Sequence, residues 1–183
     1  LRERLQVEIR RLQRQLGLTI IFVTHDQEEA MSMSDRIVLM NHGRIVQEGT
    51  AREVYESPNS HFSASFMGEN NLFDATAVRR KGDLFTVSVG GTEFDGMSDV
   101  DFMPGSTLRA FIRAERIRLG PPERSALRAR VVETTYVGST ERLVLRLEQG
   151  PEVIVRTSSA ELKLAEGDLV SVSWDPGDLR LIR

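Results

Sequence analysis

From Leu72 to the end, the chain is a succession of short strand-like runs: "LFDATAV", "LFTVSV", "TLRAFIRA", "ARVVETTYVG", "RLVLRLE", "EVIVRT", "LVSVSW" and "LRLI". Gly, Pro, Asp and Ser turns separate them. Short runs so regularly punctuated predict a small all-β barrel or sandwich. The first 70 residues have a different character, so the chain is expected to hold two parts, residues 1–70 and 71–183.

"LRERLQVEIRRLQRQLG" places Leu1, Leu5, Ile9, Leu12 and Leu16 at three- and four-residue spacing, the stripe of an amphipathic helix. Gly17 is suited to its C-cap. "LTIIFVT" is β-branched and apolar without alternation, the pattern of a parallel strand covered on both faces. Asp26 can cap the next helix, with Glu29 completing a D-x-x-E box, and that helix should end near Ser34. "DRIVLM-NHG-RIVQEGT" predicts two strands around a tight turn at Gly43. Thr50 and Glu53 form a second box that opens a brief helix closed off by Pro58. "NSHFSASFMGENN" is read as the connector, with Phe62 and Phe66 pinning the parts together. Within the chain, "LTIIFVT" has no parallel neighbour. An apolar strand with open edges pairs with whatever strand it meets, so the first 57 residues are expected to be the less stable part.

Composition narrows the function. No stretch reaches the roughly 20 apolar residues that a spanning helix needs. There are no cysteines, which rules out disulfides and thiolate metal sites. The formal net charge of −3 and the 6% aromatic content argue against a nucleic-acid binder, which needs a basic groove with stacking platforms. Of the three histidines, His42 falls in a turn and His61 in the connector, and no third ligand is spaced to make them a metal site. His25 differs, since it ends an apolar run and directly precedes a helix cap.

The ordered set from "RERLQVEIRRLQRQLGLTIIFVTHDQEEAMSMSDRIVLM" to "NHGRIVQEGTAREVYESP" resembles the C-terminal part of the ATP-binding subunit of ABC importers, closest to the polyamine, iron, sulfate and sugar group. "VTHDQEEA" is similar to that family's H-loop, with His25 on its histidine. Residues 71–183, with "FIRAERIRL" and "VVETTYVGSTERLVLRL", resemble the appended TOBE domain. The fold so implied is an α/β remnant of a P-loop ATPase domain followed by an OB-like barrel. The family's G-x-x-x-x-G-K-[ST] phosphate loop, its signature sequence and its Asp-Glu-ended strand are not in this sequence, and neither Lys81 nor Lys163 follows a glycine. The chain, beginning at Leu1, therefore reads as a fragment that should neither bind ATP tightly nor hydrolyse it alone.

The resemblance implies that, in an intact enzyme using ATP and Mg²⁺, His25 reaches the γ-phosphate, with Thr24 and Asp26 shaping its loop. It further implies a homodimer through the ATPase or TOBE domains and membrane permease subunits as partners. The expected location is the cytoplasmic face of the membrane. Loops of related barrels can touch anions, which makes Arg113, Arg116 and Arg118 candidates. Two other readings are a free-standing TOBE module that binds a small ligand, and a truncated partner that docks on intact ATPase subunits and inhibits them. "FMGENNLFDATAV" leans toward the polyamine or iron branch.

Overall fold

The structure, a computed structural model, describes residues 2–123, 127–158 and 163–182. Leu1, the first position of the predicted stripe, lies outside them. The chain divides into two compact units, residues 1–68 and 69–183.

In the first unit, α1 (Arg2–Leu16) ends as its sequence predicts. Gly17 takes a φ of 62°, and the Leu18 N–H donates to the Gln13 carbonyl at 3.1 Å, the 6→1 bond of a Schellman end. The predicted apolar stripe finds little to cover it, and Leu5, Leu12 and Leu16 are exposed. What holds α1 is polar: the Gln6 amide donates to Glu29 Oε1 at 3.0 Å, and Arg10 reaches the Ser32 carbonyl and, at 3.3 Å, Asp35.

Residues 18–24 correct the sequence reading, because they form no strand. Their sequence has strand character, but a strand exists only by hydrogen bonding to a neighbour, and no described segment lies alongside. Leu18, Ile20 and Phe22 are about half exposed, and Ile21 and Val23 are 90% exposed.

Beyond this segment the local signals hold. Asp26 caps α2 (Gln27–Met33). β1 (Ile37–Asn41) and β2 (Arg44–Gly49) pair antiparallel around a turn in which His42 (φ 47°) and Gly43 (φ 75°) are both left-handed, as a tight primed turn requires. Thr50 and Glu53 form a full capping box on α3 (Ala51–Glu56). The buried Gln47 side chain donates to the Ser57 carbonyl at 2.9 Å and accepts from the Asn59 N–H at 3.0 Å, strapping down the exit from α3. The predicted connector contains a further helix, α4 (His61–Phe66), capped by Ser60, on which Phe62 and Phe66 stack at 5.6 Å. A small core of Ile37, Val54 and Met67, flanked by Met31 and Tyr55, completes the unit.

The second unit is all β. The strands β3 (Asn70–Lys81), β4 (Leu84–Val89), β5 (Thr92–Met97), β6 (Thr107–Arg113) and β12 (Arg180–Ile182) close a five-stranded barrel in the order β12-β5-β4-β3-β6. A second five-stranded sheet, β10-β9-β8-β11-β7, is built from β7 (Arg118–Gly120), β8 (Arg128–Val137), β9 (Thr140–Leu147), β10 (Glu152–Ser158) and β11 (Leu169–Ser173). Alternation aims Ala75, Ala77, Val87, Leu108, Ala110 and Ile112 into the barrel, and Ala129, Val131, Leu143, Leu145, Val155 and Val172 into the space under the sheet. The two sets form one core.

Small residues allow a barrel of only five strands to close. At Gly96 a Cβ would stand 2.8 Å from the Leu179 carbonyl, the same oxygen that accepts the Met97 N–H at 2.8 Å. The end of the chain can thus lie against β5 only because position 96 has no side chain. The sequence reading missed β5, whose acids and glycine interrupt the apolar alternation. Asn71, 4% exposed, stands in for a strand at the edge of the second sheet: its amide donates to the Ile154 carbonyl at 2.8 Å and accepts the Ile154 N–H at 2.6 Å.

Candidate functional site

His25 lies in the short bend between the unpaired segment and α2, and it is exposed. Its neighbours are fixed. The Thr24 hydroxyl donates to Glu29 Oε2 at 2.8 Å and accepts the Asp26 N–H at 3.0 Å. Asp26 Oδ1 accepts the N–H groups of Glu28 and Glu29 at 3.0 and 3.1 Å, closing the helix start. Glu29, expected from the sequence to complete a box around Asp26, does not close it: the Asp26 N–H goes to Thr24, and the Glu29 carboxylate instead ties Thr24 to Gln6 of α1. The bend is therefore held from both sides while the imidazole between them stays open. This arrangement can present one ring N–H to an acceptor. Asp26 is occupied as a cap, a helix-start role rather than that of a base.

A single imidazole is one contact, and these residues do not by themselves fit a nucleotide with its metal. The sequence has no phosphate-loop lysine or hydroxyl, and no group of three or more His, Cys, Asp or Glu is arranged to hold a metal among the described residues. His42 and His61 lie apart from His25, in the β1–β2 turn and at the start of α4.

The three arginine candidates are in the second unit, and each is already engaged by another side chain. Arg113 is 5% exposed, donates to Asn70 Oδ1 at 2.6 Å and lies 5.7 Å from the Phe111 ring centre. Arg116 stands 3.7 Å from Asp178, and Arg118 pairs with Asp175. Both acids belong to the 3-10 turn before β12 or its cap, so these cations already have carboxylate partners.

The sequence reading overlooked a cleft of about 580 Å³ in the same unit. Thr92, Phe94 and Asp95 of β5 form one wall, and Arg128, Glu148, Ser173 and Trp174 form the other. The rings of Phe94 and Trp174 lie 5.2 Å apart, tilted by 38°. Asp95 accepts the Thr86 hydroxyl at 2.7 Å and the Lys81 ammonium at 3.0 Å. The Thr86 bond first, and then Lys81, hold its carboxyl below the usual range. Glu93 is likewise engaged by Arg79 at 2.9 Å. Trp174 is the only tryptophan in the sequence, and its rarity was the one signal that could have drawn attention here.

Residues 110–182 match the family model of the TOBE domain. The cytoplasmic molybdate-binding protein ModG, in a form with molybdate bound, superposes with a TM-score of 0.50 over 61% of this chain and 94% of its own, at 18% identity. That likeness speaks for the fold alone, an OB-like β architecture. The second unit thus carries a TOBE-domain match, and nearly the whole chain is similar in sequence to import ATP-binding proteins. More particularly, it is 43% identical to the spermidine/putrescine import ATP-binding protein PotA of Marinobacter nauticus over 97% of this chain and 49% of that protein. It is 40% identical to the protein of the same name from Aliivibrio fischeri over 95% of this chain and 49% of that one. The chain spans about half the length of the relatives it matches.

Proposed function

We propose that this chain forms the closing part of an importer ATPase: residues 1–70 complete an α/β nucleotide-binding domain, and residues 71–183 are its regulatory or dimerising TOBE domain. The observation that carries the reading is the 43% identity to an import ATP-binding protein across 97% of the chain, through both units. A module built only to sense a small ligand would have no use for the first unit. The geometry of residues 18–25 supports the same reading, because an apolar segment of strand composition, unpaired here, leads directly into a histidine held open between two anchored neighbours.

In this reading ATP and Mg²⁺ are held by residues outside this sequence, and His25 donates one N–H to the terminal phosphate. Phosphoryl transfer depends mainly on positioning and charge stabilisation, so a single well-placed donor is worth having. The intact protein acts as a dimer on the cytoplasmic face of the membrane, coupled to permease subunits. Its cargo is a polyamine, as the names of its relatives indicate. Of the described helices, none is long and apolar enough to cross a membrane.

The reading is tested by determining the gene upstream of the Leu1 codon. It requires an in-frame G-x-x-x-x-G-K-[ST] followed by an apolar strand ending in Asp-Glu. A start codon directly before Leu1 would overturn it in favour of a free-standing ligand-binding module or an inhibitory partner. For Arg116 and Arg118 to hold an anion, it would first have to displace Asp178 and Asp175.

A further inference from the structure

The cleft between β5 and the end of the second sheet where β8 begins and β11 stops is not used by the reading above, and its chemistry can be worked out from which groups are already committed. Two of its three carboxylates are neutralised, Glu93 by Arg79 at 2.9 Å and Asp95 by Lys81 at 3.0 Å. That leaves too little negative charge for a polycation. A small oxyanion is equally disfavoured, because Arg128, the one guanidinium on the wall among the described residues, is a direct cross-strand neighbour of Glu148: the Glu148 N–H donates to the Arg128 carbonyl at 2.9 Å.

Three functional elements remain uncommitted. Arg128 and Glu148 make no ion pair among the described residues, with each other or with a third group, and both are exposed to the cleft. The Phe94–Trp174 pair offers an apolar aromatic wall beside them. An aromatic platform is satisfied by a flat ring. A guanidinium fork needs acceptors on one edge of that ring, and a carboxylate needs N–H donors on another. A volume of about 580 Å³ is that of an ordinary small-molecule site.

We propose that this cleft binds a flat, amino-substituted heteroaromatic ring of the purine kind, stacked on Trp174, with Arg128 donating to its acceptor edge and Glu148 accepting from its amine and imide N–H groups. The site stands on the second unit alone and is independent of any ATPase role.

Trp174 is the only tryptophan, so its fluorescence reports occupancy of the cleft directly. The full chain is titrated with guanosine, with spermidine and molybdate as comparisons. The expected result is saturable one-to-one quenching by guanosine, weakened at least about tenfold in Glu148→Gln and in Arg128→Gln, since each removes a charged hydrogen-bond partner. Both positions are exposed, and an unchanged melting temperature confirms that the variants fold. Three results overturn the proposal: no saturable quenching by guanosine, quenching indifferent to both substitutions, or saturation by spermidine or molybdate instead.

Discussion

At the scale of single residues, the second unit depends on a few atoms whose neighbours leave no slack. Gly96 is one. Its substitution by alanine sets a Cβ 2.8 Å from the Leu179 carbonyl, a backbone atom that can retreat only by loosening the β12 closure. Gly96→Ala should destabilise the unit by about 1–3 kcal/mol, the usual cost of overpacking, seen as a lower urea midpoint at unchanged m-value. Asp95 is another. Its carboxyl is held low by the Thr86 hydroxyl and then by Lys81, so the folded state favours the charged form. That contribution is fully present above the unfolded carboxylate value of about 4 and is lost as pH falls through the lower folded value. Thr86→Val keeps the volume of a buried side chain and removes the hydroxyl. It should lower the melting temperature near neutral pH by the equivalent of about 1 kcal/mol, a modest figure because solvent still reaches Asp95. The deficit should shrink in acid, and a deficit of equal size at both pH values would show that the bond to Asp95 is not its source.

At the scale of elements, the clearest device is the side chain of Asn71, which supplies one donor and one acceptor to Ile154 where a neighbouring strand would otherwise supply them. Asn71→Ala leaves both backbone groups of Ile154 without that partner and should cost about 2–3 kcal/mol, measurable by denaturant unfolding. This element scale also separates what the sequence could reveal from what it could not. The caps at Asp26 and Thr50, the Gly17 helix end and the Gly43 turn were legible, because each is decided by residues within four positions of one another. Residues 18–24 were misread for the opposite reason: their composition is that of a strand, but a strand needs a partner that composition does not report. β5 was missed because its glycine and acids answer to Leu179, Lys81 and Thr86, which are distant in sequence or lie on the neighbouring strands. The same applies to the sites. His25 stood out through its flanking residues, whereas Phe94, Arg128, Glu148 and Trp174 converge only once the barrel and the second sheet have formed.

At the scale of the whole molecule, the two units are unequal in what they bury. The second holds one continuous core drawn from both of its sheets, while the first holds Ile37, Val54 and Met67 and leaves the apolar residues of α1 and the 18–23 segment in contact with solvent. Apolar area left exposed gives no stabilisation, so opening of the first unit should take less free energy than opening of the second. Amide hydrogen exchange on the chain alone should show rapid exchange at residues 18–24 and weak protection through α1. Protection in β4, β9 and β11 should approach the global unfolding limit. Strong protection of residues 18–24 in a monomer would contradict the view that this segment awaits a partner strand.

The central claim is that His25 acts as a phosphate contact in an importer ATPase, and ATP turnover by the protein read from the complete gene tests it most directly. In His25→Ala, ATP hydrolysis should fall by roughly 10²–10³-fold, equivalent to about 3–4 kcal/mol, the loss expected on removing one donor that stabilises charge in the transition state. Turnover within a few-fold of the unsubstituted enzyme would contradict it.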